Sequence, residues 1–189
     1  MTCYLFTLMC WGMVWGYWLY SARGVKKTMV RDQGLLLRAC IRLASLVYFL
    51  LVFLPYLSIG WLGVKWLPPN TILSYLGAAA CALGLGFALW ARRTIGTNWS
   101  GAATLKEDHQ LIQTGPYALV RHPIYSGFLL GMLGTAVTLG EVRGLLAFAL
   151  MAITFTKKIH DEERLMLIQF PNAYPPYQAA VARVIPFLF

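Results

Sequence analysis

Charged residues are so sparse in this chain that the gaps between them set its organisation. Positions 1–22, 43–64 and 67–91 contain no Asp, Glu, Lys or Arg. Positions 124–140 add seventeen uncharged residues, and positions 144–156 add thirteen. A helix needs roughly 20 apolar residues to cross a bilayer. The first three stretches are therefore expected to span a membrane, the fourth is nearly long enough, and the fifth is short. Glu141-Val142-Arg143 separates the last two and predicts a tight turn. The fifth stretch is then the return leg of a helical hairpin, with its helix continuing from Lys157 to Phe170 as a polar extension. The expected fold class is an all-α integral membrane protein of about five transmembrane helices, the last two forming a hairpin.

Composition agrees. Hydrophobic residues make up 59% of the 189 positions and charged residues 12%, about half the ~25% usual in soluble domains. The sixteen basic residues are distributed unevenly. Arg23, Lys26, Lys27, Arg31, Arg38 and Arg42 fall in one inter-span segment, and Arg92, Arg93, Lys106 and Arg121 in another. Lys157, Lys158, Arg164 and Arg183 follow the last apolar stretch. With five crossings these fourteen lie on one side, leaving only Lys65 and Arg143 on the other. Because Lys and Arg collect on the cytoplasmic side, the N-terminus is expected outside and the C-terminus in the cytoplasm. The net charge of +9 then needs no nucleic acid, since it suits anionic lipid headgroups.

Several features point to no chemistry. Positions 1–22 lack the basic leading region of a cleavable signal peptide. Cys3, Cys10, Cys40 and Cys81 have no paired spacing, which fits small buried hydrophobes better than a metal or disulfide framework. The histidines His109, His122 and His160 are too scattered to suggest a metal site. Gly12/Gly16 and Gly127/Gly131 form GxxxG pairs, which allow close helix approach within a chain or in a homo-oligomer.

Polar chemistry gathers in two places. One is Gly115-Pro116-Tyr117 followed by Arg121-His122-Pro123 and Tyr125; the other is Lys157, Lys158, His160, Asp161, Glu162, Glu163 and Arg164. The 92–123 loop and the Pro- and Tyr-rich segment 170–189 lie on the same expected face, and together they can enclose a cytoplasmic pocket. The chain divides accordingly into three N-terminal helices (1–91) and a core with hairpin and C-terminal segment (92–189). No phosphate-binding Gly-rich loop and no nucleophile elbow is present. A site with cationic, anionic and aromatic groups, open to cytosol and lipid, suits a zwitterionic cofactor that meets a lipophilic substrate.

Residues 94–189 carry a resemblance. Gly115-Pro116-Tyr117, the run Val120-Arg121-His122-Pro123-Ile124-Tyr125-Ser126-Gly127, Glu162-Glu163, then Phe170, Tyr174, Tyr177 and Arg183-Val184-Ile185-Pro186 resemble the isoprenylcysteine carboxyl methyltransferase family, in particular its short prokaryotic members. Gly96-Thr97-Asn98-Trp99-Ser100 and His109-Gln110-Leu111-Ile112 also fit. The resemblance implies S-adenosyl-L-methionine as methyl donor. It implies cofactor contacts from His109, Gln110, Leu111, Ile112, Tyr117, His122, Pro123, Ile124, Tyr125 and Glu162. Two departures bear on the acceptor: Lys158 stands where eukaryotic members place an Arg, and Ala102 stands where they have a Gln.

Arg121 and Lys158 are the cations expected to steer an anionic acceptor, with Arg121 also suited to holding the turn. The implied activity is membrane methyl transfer to a lipophilic acceptor entering from the bilayer. Other lipid, thiol or amine acceptors, an NADPH-dependent sterol-type reductase and a non-catalytic scaffold stay open.

Overall fold

The computed structural model describes residues 2–24, 28–31, 35–54, 58–99, 104–106 and 110–188. Five long helices are described: α1 (Thr2–Ser21), α2 (Leu35–Phe53), α3 (Thr71–Ile95), α4 (Pro123–Leu139) and α5 (Val142–Gln169). Four track the uncharged stretches; α2 instead starts eight residues before the 43–64 stretch, takes in Arg38 and Arg42 and ends at Phe53. A short α6 (Tyr174–Ala180) closes the chain. The strictly all-α expectation needs one correction. The first basic loop and the 92–123 segment contribute two short antiparallel strands, β1 (Thr28–Arg31) and β2 (Thr104–Lys106). Strands of three and four residues have no alternation long enough to register in the sequence.

The hairpin forms as expected. Gly140 takes the left-handed conformation at φ 63°, and its N–H donates to Ala136 O at 2.9 Å. The next helix starts two residues later, so the turn is tighter than the charged tripeptide implied. α5 then runs without a break through the polar extension to Gln169. Glu141 anchors the turn. It accepts from Lys65 Nζ at 2.9 Å and from Arg143 Nε at 2.6 Å. Arg143 Nη1 also donates to the carbonyls of Leu51 and Leu54, satisfying acceptors left open at the end of α2. Burial acts to raise the Glu141 carboxyl, but its bonds to Lys65 and Arg143 hold it below the ordinary value.

The α3–α4 seam is the most extensive helix contact. Small residues make it possible. A Cβ on Gly84 would lie 2.6 Å from Gly127 O, and one on Gly77 would lie 2.7 Å from Gly134 O. The Gly127/Gly131 pair is therefore used inside the chain, whereas Cβ atoms on Gly12 and Gly16 would meet nothing within 4 Å. α1 packs on α3, and α2 packs on α5. The rings of Trp11 and Tyr48, and of Trp15 and Phe49, bridge α1 to α2.

Among the described residues one helical stretch, Thr71–Asn98, is long and apolar enough to cross a membrane by itself; Ala39–Phe53 and Pro123–Leu139 are shorter apolar helices. The outer surface is rich in large apolar side chains: Met9, Met13, Leu46, Leu76, Leu83 and Ile153 are each more than half exposed.

Candidate active site

The turn into α4 is shaped by its prolines. Gly115 adopts φ 60° and opens a short 3-10 turn, Gly115–Ala118, with Pro116 in its first positions. Pro123 starts α4, where its missing N–H costs nothing. The C-terminal segment straps this turn down. Arg121 N–H donates to Ala182 O at 2.8 Å and His122 N–H to Arg183 O at 3.0 Å. Ser126 Oγ donates to Val184 O, and Tyr177 OH donates to Tyr117 O at 2.7 Å.

Glu163 is the hub beneath the strap. Its carboxylate accepts from Arg121 Nε at 2.9 Å, lies 3.3 Å from His122 Nε2 and pairs with Arg183 Nη2 at 2.9 Å. Burial works to raise its pKa, but His122 and Arg121 outweigh burial and hold the carboxyl down at about 2. Arg121 also donates through Nη1 to the carbonyls of Gln178 and Val181. The guanidinium is thus occupied in tying the turn to α5 and the tail. Burial pushes the Tyr177 hydroxyl up to about 12, against the lowering charge of Arg121, so it remains a proton donor to the turn.

Glu162, one residue earlier, faces elsewhere. Tyr125 OH donates to its Oε1 at 2.6 Å, and its Oε2 lies 3.8 Å from His122 Nδ1. The Lys158 ammonium is 5.5 Å from the centre of the Tyr125 ring, and the His122 and Tyr125 rings stack at 5.8 Å. Burial, followed by the neighbouring Glu162 charge, raises the Tyr117 phenol well above its ordinary value.

These groups surround one cavity of about 380 Å³. Of the residues singled out in the sequence, Gln110, Leu111, Ile112, Tyr117, Arg121, His122, Pro123, Ile124, Tyr125, Lys158 and Glu162 all line it. His109 lies outside the described residues. Glu163 is not part of the lining. No cluster of three or more potential metal ligands occurs among the described residues.

The sequence assigns no role to the other lining residues, although Asn98, Trp99, Tyr174 and Tyr177 belong to the stretches that carry the resemblance. Trp18, Asn98 and Trp99 stand beside the polar groups, and Trp11, Trp15, Tyr48, Phe49, Phe128 and Phe155 form an aromatic arm leading away from them. Arg92, almost fully buried, ties this corner together. Its guanidinium donates to Ser21 O at 2.9 Å and sits 4.6 Å from the Trp99 ring. A signal for the arm was present in Trp11, Trp15 and Trp18, whose spacing puts them on one face of a helix.

Comparisons with known proteins bear on the same residues. Positions 77–168 match the isoprenylcysteine carboxyl methyltransferase (ICMT) family. A protein-S-isoprenylcysteine O-methyltransferase of Tribolium castaneum is 34% identical over 119 residues, covering 61% of this chain and 42% of that protein. The Schizosaccharomyces pombe enzyme of the same name is 36% identical over 88 residues, covering 46% of this chain and 37% of that protein. This chain therefore spans about two fifths of the length of these relatives. A solved structure of a eukaryotic intramembrane Ras methyltransferase, an isoprenylcysteine carboxyl methyltransferase, superposes with a TM-score of 0.56 at 28% identity, covering 84% of this chain and 55% of that one. The matched core carries the Gly115 turn, the α4–α5 hairpin and both glutamates of the acidic pair, so the similarity to the isoprenylcysteine carboxyl methyltransferase family falls on the elements that build the polar part of the cavity.

Proposed function

We propose that this chain is an integral membrane methyltransferase that uses S-adenosyl-L-methionine and acts on a lipophilic acceptor. The observation that carries this reading is the continuity of the cavity. A polar mouth with Tyr117, His122, Lys158 and Glu162 opens directly into an aromatic arm between the helices. A water-soluble donor and an apolar acceptor can meet there without either leaving its own phase.

The donor set suits the cofactor. The Glu162 carboxylate is oriented by Tyr125 and keeps free lone pairs for an ammonium group. Trp99 and Tyr117 offer flat apolar surface beside it. When bound, S-adenosyl-L-methionine supplies a sulfonium-activated methyl group for in-line displacement. A carboxylate or thiolate acceptor needs no general base, so the chain's residues have to dock, align and exclude water. Alignment of this kind supplies roughly 7–11 kcal/mol. Lys158 holds the anionic end of the acceptor. Arg121, with its donors directed at Glu163 and two carbonyls, positions the turn and does not steer the acceptor.

The membrane setting follows from the exposed apolar side chains on the long helices, a surface that water does not favour. Five crossings place the Glu163 hub and the cavity mouth at the cytoplasmic face, and the Lys65–Glu141–Arg143 cluster outside. The acceptor named for the relatives, a prenylated cysteine carboxylate, is the family's version of a lipophilic acid and the first candidate here. Calorimetric titration of the detergent-purified protein with S-adenosyl-L-methionine and with NADPH tests the reading. Binding of the former with methyl transfer to a lipophilic acid supports it, and binding of NADPH alone sinks it. For topology, a single cysteine placed at Ala179 should resist membrane-impermeant labelling in intact cells, and one at Ser58 should react.

A further inference from the structure

The aromatic arm has an end. Along α4 from Pro123 and along α5 from Glu162, the farthest lining residues are Met132 and Met151; on α1 it is Trp11, and on α2 the adjacent Tyr48 and Phe49. Nine residues of α4 separate Pro123 from Met132, about 13 Å at 1.5 Å per residue. Eleven residues of α5 separate Glu162 from Met151, about 16 Å on the same basis. Beyond that level the bundle is filled. Trp11 is 1% exposed, and its indole N–H donates to Thr135 Oγ1 at 3.0 Å. Its ring stacks on Phe128 at 6.0 Å, tilts against Tyr48 at 5.8 Å and meets Phe53 edge-on at 6.5 Å. Thr7, Thr135 and Ala136 are fully buried behind it. A second cavity, around Lys65, Asn70 and Gly140 at the opposite end of the helices, shares no lining residue with the first. The arm is therefore blind, not a channel through the bundle.

We propose that Trp11, Met132 and Met151 form a closed floor that restricts the acceptor to amphiphiles whose apolar tail ends within one leaflet of the bilayer. The proposal rests on the methyltransferase reading for the identity of the occupant. It adds the residues that set the occupant's length. Of the farthest lining residues, Trp11 on α1 and Tyr48 and Phe49 on α2 lie outside the 77–168 family match. Met151 lies five residues from Thr156, the last uncharged residue of α5, and Met132 lies eight from Ile124, about 8 and 12 Å along the helices, so the floor stands within one leaflet of a hydrocarbon core about 30 Å thick. A tail that stops there fills the arm. A longer tail must fold back or leave its end in lipid, and lipid chains are as apolar as the arm. Length dependence measured at equal mole fraction in a detergent thus reports fit and not hydrophobicity.

The test uses the whole protein in detergent and a homologous series of fatty carboxylates with bromine at the tail tip. Each is presented at the same mole fraction, with the saturable part of tryptophan fluorescence quenching as readout. Trp11, Trp15, Trp18 and Trp99 line the cavity, so the probe reports directly. Expected is tightest binding at one intermediate tail length, with affinity at least fivefold weaker for the longest tails. Met132→Ala and Met151→Ala, each shown folded by thermal unfolding, should move the optimum to longer tails because each opens space at the floor. Affinity that is flat with length, still rising at the longest tails, or not saturable at any length in the wild-type protein overturns the proposal. S-adenosyl-L-methionine binding measured on the same preparations keeps the two readings apart. Its absence would count against the methyltransferase assignment while the quenching profile still decides whether the floor exists.

Discussion

Glu162 and Glu163 are neighbours in the chain but lie against different ring nitrogens of His122: Glu162 Oε2 is 3.8 Å from Nδ1, and Glu163 Oε1 is 3.3 Å from Nε2. Successive residues on a helix point about 100° apart, so one α5 turn supplies two carboxylates with separate duties. Glu162 lines the cavity, and Glu163 faces Arg121 and Arg183 under the C-terminal strap. His122 joins the two, so the mouth of the cavity and the strap form one connected unit.

Neutralising each glutamate should therefore give different losses. Glu162→Gln is expected to weaken S-adenosyl-L-methionine binding by roughly 1.5–3 kcal/mol, the value of a charge-assisted hydrogen bond. Glu163→Gln should leave binding closer to wild type and instead lower the thermal unfolding temperature, since it leaves buried Arg121 without its counter-charge. Calorimetry and thermal unfolding in detergent read the two effects. Equal binding by both variants and the wild type would reject the assignment of Glu162.

The strap should also loosen in acid. The Glu163 carboxyl is held at about 2 against an ordinary 4.5. A depressed folded pKa means the unfolded state binds the proton more readily, so this carboxylate stabilises the fold fully above about pH 4.5. That contribution fades as pH falls towards 2. Unfolding temperature measured across this range should drop more steeply for the wild type than for Glu163→Gln, which has no proton to take up there. Parallel curves would show that Glu163 does not control acid stability.

Much of the helical frame was legible because charge is rare. Four of the uncharged stretches lie in long helices, and the Lys157–Phe170 extension continued α5 as its polar residues implied, but α2 begins eight residues before the 43–64 stretch and stops at Phe53. The cavity mouth was legible for a different reason: Tyr117, His122, Tyr125 and Glu162 carry a family motif. What the sequence hid was non-local. Arg183 reaches Glu163 from twenty positions downstream, and nothing local in the tail announces that contact. For Arg121 the sequence offers both steering of the acceptor and holding of the turn, because it shows a charge but not the Gln178 and Val181 carbonyls to which the guanidinium donates. The aromatic arm left only the spacing of Trp11, Trp15 and Trp18 as a signal, because apolar helices in lipid are apolar all round and no polar face marks which side points inward.

The α3–α4 seam should tolerate no added side chain. Gly84→Ala would bring its Cβ 2.6 Å from the Gly127 carbonyl. Relief requires the helices to separate, at a cost of about 1–3 kcal/mol. Gly12→Ala and Gly16→Ala meet open space and should leave thermal unfolding unchanged or slightly improved. If Gly84→Ala unfolds at the wild-type temperature while remaining monodisperse, the close approach of the two helices is not what holds the core.

Lys158 provides the sharpest test of how an acceptor is held. It is 9% exposed, lines the cavity, and has its ammonium over the Tyr125 ring. It precedes Glu162 by four residues, which puts both on one face of α5. A cation kept this far from water favours an anion beside it more than a surface lysine would. Lys158→Ala should therefore raise the apparent KM for an anionic lipophilic acceptor by about tenfold, which corresponds to about 1.4 kcal/mol. Cofactor affinity should change little, because Glu162 and Tyr125 stay in place. Lys158→Arg keeps the charge but replaces a point charge with a planar fork, so it should fall between the two. A neutral acceptor of the same shape should be indifferent to all three side chains. Steady-state transfer of a labelled methyl group to matched acid and amide acceptors measures each of these. A preferred acceptor that is water-soluble, or kinetics untouched by Lys158→Ala, would mean that the acceptor is held by groups other than this lysine.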